Sequence, residues 1–178
     1  EQRLRAKEDS VVTMAAALAR DPRVRTGLRQ RDRAPLLAAI GDIRDDYAAI
    51  TDYRGVRAQV IDAERTILAR SWDPGYSGGK APHPLAAAVA AQRLSQASFG
   101  VGNAGLGVIG FAPVLDGERL LGLVSVTQGV GSVVRALKDE RVDWLMVVDE
   151  AALAERYGGQ LPASFAANPV LRPGHRLA

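Results

Sequence analysis

Thr66-Ile67-Leu68-Ala69-Arg70-Ser71-Trp72 is the stretch on which the reading of this chain turns. It lies between a turn, Asp62-Ala63-Glu64-Arg65, and a Gly- and Pro-rich loop, and its branched and aromatic residues predict a strand. Strand alternation places Leu68, Arg70 and Trp72 on one face and Ile67, Ala69 and Ser71 on the other. An arginine between leucine and tryptophan on one sheet face suggests the wall of a partly enclosed site. A buried cation needs an anionic partner, because an unpaired charge away from water is costly. The planar guanidinium suits a carboxylate, which it can hold through two hydrogen bonds. The competing reading is an internal salt bridge to Asp62 or Glu64, or exposure at a sheet edge.

Working outward, Val56, Ala58 and Val60 alternate with Arg57 and Gln59 and predict a first strand. Asp73 to His83 reads as a loop, and Leu85 to Gln96 as an alanine-rich helix. Leu106 to Leu115 and Arg119 to Gln128 flank Asp116-Gly117, a strong hairpin signal. Val130 to Asp139 reads as a helix, Trp144 to Val148 as a sixth strand, and Glu150 to Tyr157 as a helix. From Gly158 onward the Gly-, Pro- and Asn-rich tail is assigned no structure. On the N-terminal side, Leu4, Val11, Met14, Ala15 and Leu18 recur at helical spacing. Asp21-Pro22 ends that helix and starts a short second one, with Asp as N-cap and Pro in the first turn. Asp32 is expected to cap a third helix carrying Leu36, Leu37, Ile40 and Ile43.

The chain has 178 residues, 47% of them hydrophobic and 24% charged, the composition of a folded globule. Its 23 Lys and Arg are interspersed with 20 Asp and Glu, leaving a net charge of +3. With few aromatics for base stacking, this scattered charge argues against a nucleic-acid partner. The absence of cysteine excludes disulfides, thiolate metal sites and a cysteine nucleophile. No segment approaches the ~20 apolar residues of a membrane span. The opening Glu1-Gln2-Arg3-Leu4-Arg5 already has helical composition, so both ends are expected to be cut from a longer chain.

Catalytic motifs fail on context. Gly100-Val101-Gly102-Asn103-Ala104-Gly105 fits the dinucleotide spacing. It leads into Gly107-Val108-Ile109-Gly110-Phe111, which reads as strand, and not into the helix whose amides would hold a pyrophosphate. Ser77-Gly78-Gly79-Lys80 lacks the first glycine and the Mg-ligating hydroxyl of a phosphate loop. His83 and His175 have no ligand-spaced partners, so no metal or cofactor is expected. Asp45-Asp46 and Asp149-Glu150 are adjacent, about 100° apart on a helix, and read as solvated acids or caps. No enzyme activity is expected.

The order of these segments resembles the extracytoplasmic Cache-type sensor domains of bacterial chemoreceptors and sensor histidine kinases. Leu36 to Tyr53 looks like the helix before the first sheet strand. Ile67 to Trp72 resembles the family's second strand, and Gly107 to Gly122 its long hairpin. The resemblance implies an α+β, PAS-like fold, with an antiparallel sheet of five to six strands and long N-terminal helices packed on one face. It implies a sensing domain over 1–142, and over 143–178 an additional strand, helix and irregular tail that would start a membrane-proximal segment. Asp73 to Gln96 would be the lid over the ligand. Arg70, Trp72, Tyr76 and Lys80 would contribute to the site, with Phe111 and Ser125 on neighbouring strands.

The expected function is the periplasmic sensor domain of a transmembrane chemotaxis receptor, anchored on the periplasmic side of the inner membrane. It would bind a small carboxylate such as acetate or propionate, since no acid that would hold an amino-acid ammonium is evident. Flanking transmembrane helices and a homodimer through the N-terminal helices belong to the same expectation. The alternative is a cytoplasmic PAS- or GAF-like interaction module without a small-molecule ligand.

Overall fold

The computed structural model describes residues 2–50, 55–81, 83–102, 105–156, 159, 161 and 163–177. The described chain forms two compact units: residues 1–98 with 108–128, and residues 99–107 with 129–178.

Three helices open the first unit: α1 (Gln2–Ala19), α2 (Pro22–Gln30) and α3 (Arg33–Ile50). The predicted breaks between them are present. The Asp21 side chain accepts from the Arg23 amide at 2.7 Å, with Pro22 in the first turn of α2. Asp32 accepts from the Ala34 amide at 2.9 Å. Each aspartate satisfies a helix N–H that has no intrahelical partner. Residues 51–54, the end of the helix expected to reach Tyr53, lie outside the described residues.

The sheet has the order β2-β1-β5-β4-β3. Its strands are β1 (Arg57–Asp62), β2 (Ile67–Arg70), β3 (Gln96–Gly102), β4 (Gly105–Asp116) and β5 (Arg119–Gly129). Gly117, at φ +59°, makes the predicted turn between β4 and β5. Between β2 and β3 runs α4 (Pro84–Gln92), capped by His83, whose Nδ1 accepts from the Leu85 amide at 3.2 Å. The sequence had extended this helix to Gln96. Arg93 ends it instead, at φ +59° with its N–H on the Val89 carbonyl, and Gln96 already opens β3. An arginine in the left-handed region is hard to foresee, since glycine is the usual residue there.

The sheet's two faces are covered differently. On one face the helices pack directly. A side chain at Gly110 would meet the backbone of Val11 in α1 at 2.6 Å. At Gly122 it would meet the Ile61 carbonyl, with Leu28 of α2 3.0 Å away. Val60 pairs with Ala69 and with Val124, and all three are buried. On the other face lie Ile61, Ile67, Phe111 and Leu123, packed against Ala81, Ala86 and Val89 of the loop and α4.

The second unit contains α5 (Gly131–Asp139), β6 (Val147–Asp149) and α6 (Glu150–Arg156). It continues with α7 (Ala163–Ala166), β7 (Val170–Arg172) and β8 (His175–Leu177). The sixth strand therefore joins a separate sheet, ordered β6-β8-β7, and the tail read as structureless supplies two of its three strands. Leu153 and Phe165 form its buried centre, with Leu106, Val148 and Leu161 around them. Arg176 pairs with Glu150 at 2.5 Å and donates to the Ala166 and Asn168 carbonyls at 2.9 and 2.6 Å. Three-residue strands held by one arginine leave little periodicity to read.

Candidate functional site

The site is built on edge strand β2, and a bulge decides what it presents. Gln59 pairs with Arg70 and Val60 with Ala69, but Ile61 pairs with Ile67, so Leu68 is an extra residue. An extra residue shifts strand parity by one. Ile67 and Arg70, three apart, therefore share the face that looks towards the loop and α4. Simple alternation had grouped Leu68 with Arg70 and Trp72. The Arg70–Trp72 half of that expectation holds, and Ile67 takes the place given to Leu68.

Arg70 is sandwiched by aromatics. Its guanidinium carbon lies 3.8 Å from the Tyr76 ring centroid and 5.4 Å from that of Trp72. Arg57 approaches the same indole at 5.8 Å. Such stacking orients a cation without neutralising it. The Nε of Arg70 is buried with no hydrogen-bond partner among the described residues. The two acids proposed as internal partners are engaged elsewhere. Asp62 accepts from the Thr66 amide at 2.7 Å, and Glu64 faces Arg31 at 3.9 Å. A positioned guanidinium whose buried N–H has no partner among the described residues has the chemistry to hold a planar anion.

The surrounding frame is fixed by arginines of α3. Arg33 donates from Nε to the Leu68 carbonyl at 2.8 Å. Its Nη2 reaches the carbonyls of Pro74 at 2.8 Å and Tyr76 at 3.0 Å. Arg44 donates to the Ser71 carbonyl at 2.9 Å. These bonds give edge-strand and loop carbonyls a donor, and they hold the segments on both sides of Arg70. Neither arginine was singled out in the sequence; a helix-borne Arg donating to a distant loop leaves no periodic signal.

The remaining expected residues fall in different places. Trp72, 41% exposed, sits at the rim. Tyr76 lies over Arg70 and packs against the apolar cluster. Phe111 is 0% exposed and stacks at 5.6 Å on His83, a core contact between sheet and loop. Ser125 is 1% exposed and pairs with Gln59, in the same row as Arg70. Lys80 is directed away, its Nζ donating to the Glu64 carbonyl at 2.8 Å and the Thr66 hydroxyl at 3.0 Å. The structure thus brings Arg70, Trp72 and Tyr76 together, leaves Ser125 two strands away in the same row, and turns the Lys80 ammonium to the β1–β2 turn. Among the described residues there is no cluster of side chains fit for a metal ion, and no helix is long and apolar enough to cross a membrane.

The comparisons with known proteins bear on the family and the fold. Residues 1–150 match the dCache_3 model, the double sensory domain of two-component sensor kinases. The E. coli DcuS sensor domain superposes with a TM-score of 0.63 at 15% identity, covering 78% of this chain and 100% of that one. The sensor domain of the V. cholerae histidine kinase DctB gives 0.60 at 15% identity over 80% of this chain. This chain spans 56% of that domain. A domain of a sensory box/GGDEF family protein from Vibrio parahaemolyticus gives 0.55 at 12% identity, over 80% of this chain and 61% of the other. At such identities the likeness is one of fold. No curated protein matches the sequence.

Proposed function

This chain belongs to the family of double sensory domains of two-component sensor kinases, and from that premise we propose that its first unit binds a small organic carboxylate at Arg70. The domain is a Cache-type sensor, a ligand-binding family of signal-transduction proteins. The observation that carries the ligand reading is the buried Arg70 Nε, without a partner among the described residues and beneath the Tyr76 ring. The carboxylate forks onto the guanidinium while Trp72 and Tyr76 exclude water from the pair. The simplest ligands of this kind are monocarboxylates of the size of acetate or propionate.

Binding favours the conformation in which the segment after β2 is closed over the sheet, by the difference in affinity between its two states. Arg33 supplies the route to the helices, since one guanidinium holds both the Tyr76 carbonyl and the bulge at Leu68. A coupling of ~1–3 kcal/mol is enough to change output several-fold. The domain sits on the periplasmic side of the inner membrane, between flanking spans, with residues 143–178 leading to a membrane-proximal segment. The family's description favours a kinase output over a chemotaxis receptor. Pairing of two copies through the N-terminal helices would carry the signal between protomers.

A thermal-shift panel of small carboxylates and amino acids, run on the wild type and Arg70→Ala, tests the reading. Ligand at 100 times its dissociation constant adds about 2.7 kcal/mol. A carboxylate-specific shift that vanishes in Arg70→Ala is expected. A folded, ligand-free sample that responds to nothing would favour an interaction module instead.

A further inference from the structure

The register across three strands aligns Arg70 of β2, Gln59 of β1 and Ser125 of β5 in one row. The adjacent row on that face is Ile67, Ile61 and Leu123, all buried and part of the apolar cluster beneath the loop and α4. One polar row therefore runs beside one apolar row. With neighbouring strands about 4.8 Å apart, the polar row is roughly 10 Å long. It begins at the stacked guanidinium and ends at a hydroxyl that is 1% exposed. Between them, half-buried, lies the Gln59 amide, which has two donors and one acceptor oxygen.

That arrangement suits more than an alkyl acid. A hydrocarbon tail laid beside Gln59 would strip water from the amide and return no hydrogen bond, which binding disfavours. A hydroxyl or oxo oxygen on the carbon next to the carboxylate would meet the amide of the strand adjacent to Arg70. The apolar row on the other side, packed against the loop and α4, bounds the site on that flank. We infer that the site selects 2-hydroxy or 2-oxo monocarboxylates over their unsubstituted counterparts, and that Gln59 is the residue that reads the second oxygen. The inference rests on Arg70 as the carboxylate anchor and narrows the ligand class within it.

Lactate, pyruvate and propionate make the test, since they share a three-carbon chain and differ only at the second carbon. Each is titrated calorimetrically into the wild type, Gln59→Met, Gln59→Glu and Arg70→Ala. In the wild type, at least one of lactate and pyruvate is expected to bind at least about tenfold more tightly than propionate, the scale of one satisfied hydrogen bond. Gln59→Met, unbranched and of similar length, removes that preference by weakening the oxygenated acid and, with no amide left to desolvate, by tightening propionate. Gln59→Glu keeps the size and polarity and weakens all three acids by placing a like charge beside the carboxylate. Equal wild-type affinities for all three, or a preference that survives in Gln59→Met, would overturn the role of Gln59 while leaving the anchor intact. No binding of any of the three to the wild type, or binding undiminished in Arg70→Ala, would overturn the carboxylate reading and this inference with it.

Discussion

The two faces of the five-stranded sheet obey different rules. The helix face is closed and largely apolar, its buried Gln128 is paired to α1, and small residues such as Ala58 and Gly110 allow the helix backbones to approach. The opposite face mixes Ile61, Ile67 and Leu123 with Arg70, Gln59 and Ser125, and its arginine has a buried N–H with no partner among the described residues. Packing that could have been completed on both faces is completed on one. Binding sites are where a fold tolerates such local cost. Substitutions on the helix face should therefore change stability and leave ligand affinity alone, while those around Arg70 should do the reverse.

Phe111→Ala is the strongest way to break this contrast, because Phe111 lies on the ligand face yet belongs to the core. It is expected to lower unfolding free energy by about 3–5 kcal/mol, read by urea denaturation. A loss below about 1 kcal/mol would show that the loop and α4 are not packed on it. On the helix face, Gly110→Val drives a side chain into the α1 backbone and should cost about 1–3 kcal/mol. Ligand affinity of whatever remains folded should be unchanged.

Arg33→Ala frees three carbonyls and should cost about 1 kcal/mol. Amide exchange should then accelerate over residues 73–81 and not in α1; uniform acceleration would make Arg33 an ordinary stabilising contact. Arg70→Met should alter stability by no more than about 1 kcal/mol, on the stabilising side, because relief of the buried N–H outweighs the lost stacking. A large destabilisation would mean that Arg70 is structural.

The smallest effect concerns acid. Hydrogen bonding from the Arg23 side chain holds the Asp21 carboxyl below its ordinary value of 3.8. A depressed carboxylate contributes stability above the unfolded value and loses it as pH falls through the folded one. Asp21→Asn keeps a cap oxygen, so it should flatten stability below about pH 4 without affecting binding.

Much of this was legible in the sequence, for physical reasons. Asp21-Pro22 and Asp32 announced helix starts because a cap needs a particular side chain at a particular place. Asp116-Gly117 announced its turn because the backbone there requires positive φ, and Gly117 has it. The location of Arg70 on a strand was readable from its apolar flanks. The bulge at Leu68 was not, because an extra residue leaves the composition of a strand unchanged and becomes visible only in the register. Nor was the row through Gln59, since alternation identifies a face but not which residues of separate strands stand side by side. The C-terminal hairpin escaped for a third reason: its strands are three residues long, β7 exposed throughout and β8 half-buried.

Trp72 provides the most direct test of the central claim, because it is one of only two tryptophans and stacks on Arg70. In a Trp144→Phe background, the carboxylates that raise the melting temperature are titrated while Trp72 emission is followed. The account predicts a saturable change with the same dissociation constant as the stabilisation, and its loss in Arg70→Ala. Stabilisation by a carboxylate with Trp72 emission unmoved would place the ligand elsewhere and contradict the account.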